Sequence, residues 1–233
     1  MVRLLDSVLN LVLRPNCPLC DRPLGGQELC VACQRRLDDC RQRHPCSQWR
    51  GDLPLFAWGT YSGSLKRAIA ALKYENNPQL ARPLGHRIAE AWQQSPSLPQ
   101  SLMVVPIPMH PDKQRQRGFN QAERLARYFC DLTGFPLAAK GLKRVKNTQA
   151  LFQLTPQQRQ QTLQNAIALG PAFQRRPPRQ PVLLFDDIHT TGSTTQEALA
   201  VLQRHQIAVA GVAVLAKTQG RSPRKTPRTP RRS

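Results

Sequence analysis

An apolar run that ends in two adjacent acids and a hydroxyl-rich glycine turn leaves a polypeptide few ways to fold. Val182-Leu-Leu-Phe-Asp-Asp-Ile-His-Thr-Thr-Gly-Ser-Thr194 is such a run. Pro181 to Phe185 reads as a buried strand, with Asp186 and Asp187 at its carboxyl end. The turn then opens a helix that continues from Gln196 to Gln206, and Thr194 with Glu197 fits a capping box. Val209 to Ala216 is a second apolar strand. Strand, helix and strand at this spacing predict a βαβ unit, hence an α/β fold with a parallel sheet. Ligands of such sheets sit at the carboxyl ends of the strands. Clustered N–H groups, hydroxyls and a helix N-terminus suit a phosphate there, and Gly192 lets the backbone approach it. The two acids suit sugar hydroxyls whose other side carries Mg²⁺. An Asp pair at a strand end before an ordinary capped helix is the plainer reading. The pattern is neither a Walker A loop nor a dinucleotide fingerprint.

Upstream, Pro54 to Tyr61 reads as a strand and Ser64 to Tyr74 as a helix, with Leu65, Ala68, Ile69 and Leu72 on one face. Residues 93–101 are Ser-, Pro- and Gln-rich and read as a loop. Leu102 to Pro108 is a short buried strand that ends in a Pro-broken basic loop, His110 to Arg117. Gly118 to Thr133 is a helix closed by Gly134. Thr155-Pro156 opens a helix to about Ile167, and Gly170 to Pro181 is a basic connector.

Six of the seven cysteines lie between residues 17 and 46. Cys17, Cys20, Cys30 and Cys33 form two C-x-x-C pairs, the ligand set of a tetrahedral structural zinc. The stretch has few apolar residues, so the metal would supply its folding energy. Disulfides are the other reading, and they belong to oxidising compartments. Cys40, His44 and Cys46 are one ligand short of a second closed site, and Cys130 sits in a helical pattern as a small buried residue.

The chain carries a net charge of +20. Residues 1–53 hold +2, residues 54–216 hold +11, and residues 217–233 hold +7 with no acid. That field favours polyanions such as nucleic acid or phosphorylated metabolites. Residues 217–233 read as a disordered basic tail. Composition excludes collagen and coiled coil. No apolar window is long enough for a spanning helix, and Met1 to Arg14 carries Asp6 and no small-residue cleavage site, unlike a secretory signal. The expected location is the cytoplasm.

The stretch from Asp186 to Thr194 resembles the phosphoribosyl pyrophosphate (PRPP) loop of type I phosphoribosyltransferases. The resemblance implies that Asp186 and Asp187 hold the ribose, with Mg²⁺ accompanying PRPP, while Thr190, Thr191, Gly192, Ser193 and Thr194 hold the 5′-phosphate. More of the chain narrows it. The two C-x-x-C pairs, Leu72-Lys73-Tyr74, Val105-Pro106-Ile107-Pro108, Arg117-Gly118-Phe119-Asn120-Gln121 and the PRPP loop, in that order, are similar to the ComF family of competence and DNA-utilisation proteins. The resemblance implies an N-terminal helix and zinc module over residues 1–53, a phosphoribosyltransferase-like domain over 54–216, and a mobile loop including Lys143 to Gln149. His189 stands where the family usually has Val or another small apolar residue, and it reads as a ligand contact or, more simply, as an outward side chain. Arg159-Gln-Gln-Thr162 replaces the family's usual Arg-x-x-Asn, and of a second pair of knuckles only Cys40 and Cys46 survive.

Three functions stay open. The first is a ComF-type protein handling imported single-stranded DNA, with a pocket for PRPP or a nucleotide 5′-phosphate and inner-membrane uptake machinery as a partner. The second is an active phosphoribosyltransferase of nucleotide salvage. The third is a zinc and basic-tail adaptor whose pocket is vestigial. Lys73, Lys113, Arg115, Arg117, Lys143, Arg144 and Lys146 are the cations available to pyrophosphate or DNA, and no segment names a nucleobase.

Overall fold

The computed structural model describes residues 16–24, 26–48, 53–75, 77–146 and 166–219. The N-terminal apolar segment, the start of the helix expected from Thr155, Arg159 to Thr162, Asn147 to Gln149 and residues 220–233 lie outside these ranges.

Four parallel strands form the central sheet: β1 (Leu55–Thr60), β2 (Met103–Pro106), β5 (Val182–His189) and β6 (Val209–Lys217), in the order β1-β6-β5-β2. The expected parallel α/β fold is therefore the one adopted. The strands alternate at period two and are buried on both faces, as a covered parallel sheet requires. Phe56, Trp58, Leu183, Phe185, Ala213 and Leu215 join one core cluster. Leu55, Ala57, Val182, Leu184, Val212 and Val214 join the other.

On the first face lie α2 (Gly63–Tyr74), α3 (Ala81–Gln93) and α5 (Gln121–Thr133). Their contact is tight because α3 presents Gly85, where a Cβ would stand 2.8 Å from the Leu125 carbonyl. Trp92 of α3 packs edge-on against Phe129, with centroids 5.8 Å apart, and tilted against Phe56 at 5.2 Å. The second face is covered by α7 (Ser193–Arg204), the short α6 (Pro171–Arg175) and an antiparallel pair, β3 (Leu142–Arg144) with β4 (Ile167–Leu169).

Several expectations need correction. The basic loop after Pro108 contains a helix, α4 (Pro111–Arg117). Pro111 occupies its first turn, where a missing N–H costs nothing, and the His110 ring accepts the Asp112 N–H at 3.2 Å. Gly118 is the left-handed cap that ends α4, and α5 begins only after Asn120. Ile167 belongs to strand β4, so no helix reaches it. The connector after Gly170 holds α6. Helix α3 carried no sequence-based expectation at all.

The cysteine segment is not a bead on a string. Leu19, Leu24, Leu29 and Leu37 share the cluster that holds Trp92 and Leu65. Helix α1 (Val31–Asp38) is tied to α3 by Arg87 and Asp38, 3.4 Å apart. The chain from Cys40 to Gln48 then runs along β1: Thr60 N–H donates to the Cys40 carbonyl, Gln42 N–H to Trp58, Ala57 N–H to Pro45 and Leu55 N–H to Gln48. This irregular ribbon covers what would be an open sheet edge.

Candidate nucleotide-binding cleft and metal centre

Strand β5 carries Asp186 and Asp187 to its carboxyl end, and the pleat sends them to opposite sides. Asp187 is buried and pairs with Lys73, delivered by the last turn of α2. Their side chains are 6% and 15% exposed. Burial pulls the Lys73 ammonium down, but the Asp187 carboxylate outweighs it, and the net shift is upward. Asp186 stands beside it, accepting the Asp187 N–H at 2.8 Å. Burial first, and the Asp187 charge second, push its carboxyl well above the usual range.

The two acids line a cleft of about 330 Å³ with Lys73, Lys113, Arg117, Arg144 and Thr194. Its far wall comes from the chain after β2. Ile107 N–H donates to the Phe185 carbonyl at 2.8 Å, which docks Val105 to Pro108 onto β5. Asn120 caps α5 by accepting the Ala122 N–H at 3.1 Å, and its amide donates to the Ile107 carbonyl at 3.0 Å. Arg117 donates to Gln121 at 2.6 Å and lies 5.2 Å over the Tyr74 ring. So Leu72-Lys73-Tyr74 and Arg117 to Gln121, far apart in sequence, meet on one wall. Asn120 and Gln121 line the cleft as well, and their sequence signal was that same motif. Burial lowers the Lys113 ammonium, helped by Arg144 and Arg117. Arg115 instead faces out, 76% exposed and paired with Asp112, and Lys143 and Lys146 are exposed outside the cleft lining.

Beyond Asp186 the chain folds over a niche of about 40 Å³ lined by Thr190, Thr191, Gly192, Ser193 and Thr194. Gly192 has φ +75°, open to glycine and strained for a branched residue. Thr191 and Ser193 hydroxyls lie 2.7 Å apart, and the Thr195 hydroxyl donates to the Gly192 carbonyl at 2.7 Å. Two expectations change here. Gly192, not Thr194, occupies the N-cap of α7, so no capping box forms. Glu197 instead accepts the Ala166 and Ile167 N–H groups at 2.5 and 3.0 Å, which fastens β4, and with it the β3 strand carrying Arg144. His189 does not point outward. A Cβ on Gly192 would meet its ring at 2.9 Å, and its Nδ1 is buried. Burial, and then Lys217, lower its pKa.

A charge-neutral replacement of Asp186 gives the first prediction. A carboxyl whose folded pKa is raised contributes stability below its ordinary value near 3.8, and loses it as pH rises through the folded pKa. At neutral pH an ionised Asp186 is therefore a cost. Asp186→Asn should stabilise the fold by about 0.5–2 kcal/mol in urea denaturation at pH 7, the signature of a group kept for binding. Unchanged or lower stability would contradict this.

The Sγ atoms of Cys17, Cys20, Cys30 and Cys33 all lie within 4.8 Å of one another. Four thiolates on one zinc stand about 3.8 Å apart, given Zn–S near 2.3 Å, so the cluster can hold such an ion. The first knuckle is a turn in which Cys20 and Asp21 N–H groups donate to the Cys17 carbonyl. The second opens α1, with Cys30 at the N-cap. The Cys30 thiol is drawn down to about 7, chiefly by the Cys33 backbone N–H, while burial pushes Cys33 up. Cys40 and Cys46 stand apart from this cluster. Cys46 and His44 line a separate surface pocket with Arg41 and Arg43.

No family model matches the chain. Competence protein F of Haemophilus influenzae is 31% identical over 151 residues, 63% of this chain and 65% of that one. The chain thus spans just under two thirds of that relative. The DNA utilization protein YhgH of Salmonella typhi is 27% identical over 87% of this chain and 84% of that one. Competence protein ComFC of Bacillus subtilis is 24% identical over 80% and 70%. Among solved structures, Leishmania donovani adenine phosphoribosyltransferase covers 87% of this chain and 89% of its own at 10% identity and a TM-score of 0.36. Leishmania donovani UMP synthase covers 79% and 29% at 14% identity and a TM-score of 0.32. Scores that low carry no weight for function. Among the described residues no helix is long and apolar enough to cross a membrane. Curated relatives named for competence and DNA utilisation match most of its length, and the chain is similar to the ComF family of such proteins.

Proposed function

We propose that this protein handles single-stranded DNA during its uptake or utilisation, and that its cleft binds PRPP or the 5′-phosphate end of a nucleotide. The relatives' names point to DNA uptake and use. The observation that carries the pocket reading is that the cleft and the turn niche adjoin: Asp186 and Thr194 line both. A ribose in the cleft would offer its hydroxyls to Asp186 and Asp187. Its 5′-phosphate would take the N–H groups and hydroxyls of Thr190 to Thr194, and any pyrophosphate would face Lys113, Arg117 and Arg144. Zinc on the four cysteines is structural in this reading, since a Cys₄ site leaves no open position. Four cysteines held by zinc instead of in disulfides suit a reducing compartment, and the proposal sets the protein in the cytoplasm.

The DNA half rests on charge: residues 54–216 carry +11 and residues 217–233 carry +7. Binding of a labelled single-stranded oligonucleotide should be nearly independent of sequence and fall steeply with salt, at a log–log slope of about −0.7 per phosphate contact. Deleting residues 218–233 should flatten that slope without abolishing binding. Loss of all binding on deletion would confine the polyanion site to the tail and remove the folded part from this role.

A further inference from the structure

The resemblance implies Mg²⁺ accompanying PRPP on the far side of the ribose hydroxyls, and the acidic pair itself does not fit a divalent ion. A divalent ion between Asp186 and Asp187 needs oxygen ligands free to turn toward it in near-octahedral geometry. Asp187 is buried and already engaged by the Lys73 ammonium, whose side chain is largely covered. One Asp186 oxygen is held by the Asp187 N–H. Lys113, Arg117 and Arg144 stand around the same cleft, so an ion entering it would meet four cations for two carboxylates. Lys73 is fixed at the end of a packed helix whose Leu65, Ile69 and Leu72 are fully buried, so its stem has little freedom to withdraw.

We propose that Lys73 is the resident cation of the acidic pair, so that the pair takes the hydroxyls of a ribose phosphate with no divalent ion of its own. The ammonium holds the Asp187 carboxyl in place at the edge of the cleft. It leaves Asp186 as the carboxyl that turns to the sugar. This inference rests on the pocket reading above. Lys73 is a positioning residue here, acting through Asp187.

The probe is ribose 5-phosphate, which carries the vicinal hydroxyls and the 5′-phosphate but no pyrophosphate to chelate magnesium itself. Calorimetric titration of the full chain in excess magnesium and in excess EDTA should give affinities within about twofold of each other. Lys73→Met should lose at least tenfold in EDTA and regain part of it in magnesium, because the ion can then reach Asp187. Lys73→Arg should behave as the wild type. Wild-type binding that collapses in EDTA overturns the inference and leaves the pocket intact. So does Lys73→Met binding in EDTA with wild-type affinity. Absence of binding by every version in both conditions overturns the pocket reading and this inference with it. The wild-type comparison decides even where the methionine variant folds poorly.

Discussion

Freshly purified protein is expected to carry one zinc per chain, and stripping it with a strong chelator should lower the stability of the whole molecule. The four Sγ atoms are gathered within 4.8 Å by two knuckles with little regular structure of their own. Without an ion, the four thiols have only a weak Cys20–Cys30 sulfur contact at 3.5 Å and the packing of the surrounding leucines to gather them. Structural zinc in isolated fingers contributes on the order of 10 kcal/mol. Here part of that is offset, because Leu19, Leu24, Leu29 and Leu37 already bury apolar surface against α2 and α3. The same packing makes the loss global, since releasing the knuckles exposes the core cluster of Leu65 and Trp92. A loss of several kcal/mol would lower Tm by about 10 °C in a chain of this size. Metal analysis with a melting curve before and after chelation measures both. No metal in fresh protein, with disulfides mapped among Cys17, Cys20, Cys30 and Cys33, would contradict the prediction.

The second large effect is expected from Asp187→Asn. The amide keeps the shape of the carboxyl but strands the Lys73 ammonium in a site where only 15% of its side chain meets water. Removing one partner of a buried pair costs about 3–5 kcal/mol. The cleft opens to solvent, so a smaller cost, about 2–3 kcal/mol, is expected here. Adding Lys73→Met should recover most of that loss, because no charge is then left unpaired. The pH dependence follows from the raised folded pKa of Lys73. Its stabilisation is complete below the ordinary lysine value of 10.5 and is lost as pH rises through the higher folded value. Urea denaturation of the wild type should show that alkaline loss, and the double variant should lack it. Equal stability of wild type and Asp187→Asn would mean that the pair is not formed in solution.

Much of this architecture was legible because its strands are buried on both faces and therefore read as unbroken apolar runs. Leu183 to Phe185 and Val212 to Leu215 are such runs, and the turn between His189 and Ser193 names its own geometry through Gly192. The C-x-x-C spacing was equally plain. What was not legible depended on contacts distant in sequence. Helix α3 has Pro83 and Gly85 in its first turns, which weaken its local signal, and both become favourable only through N-terminal placement and the close passage of α5. Glu197 fits a local cap, yet the N–H groups it accepts belong to residues 166 and 167. His189 looked outward because strand alternation gives no warning that the turn folds back over its ring. Lys73 was expected to serve pyrophosphate or DNA; only the fold brings the end of α2 against β5 and sets its ammonium on Asp187.

The central claim is that the cleft takes a ribose and the adjoining niche its 5′-phosphate, and calorimetric titration of PRPP against three proteins tests it directly. The variants are Asp186→Asn, which should fold more stably than the wild type, and Gly192→Val. The second places a branched side chain at φ +75°, with its Cβ about 2.9 Å from the His189 ring, where the phosphate's N–H cradle must stay open. The account predicts that each variant, with its fold and zinc content verified, loses at least tenfold in affinity, about 1.4 kcal/mol. Wild-type affinity retained by both would contradict it, and the cleft at the end of β5 would then not be where this protein meets its ligand.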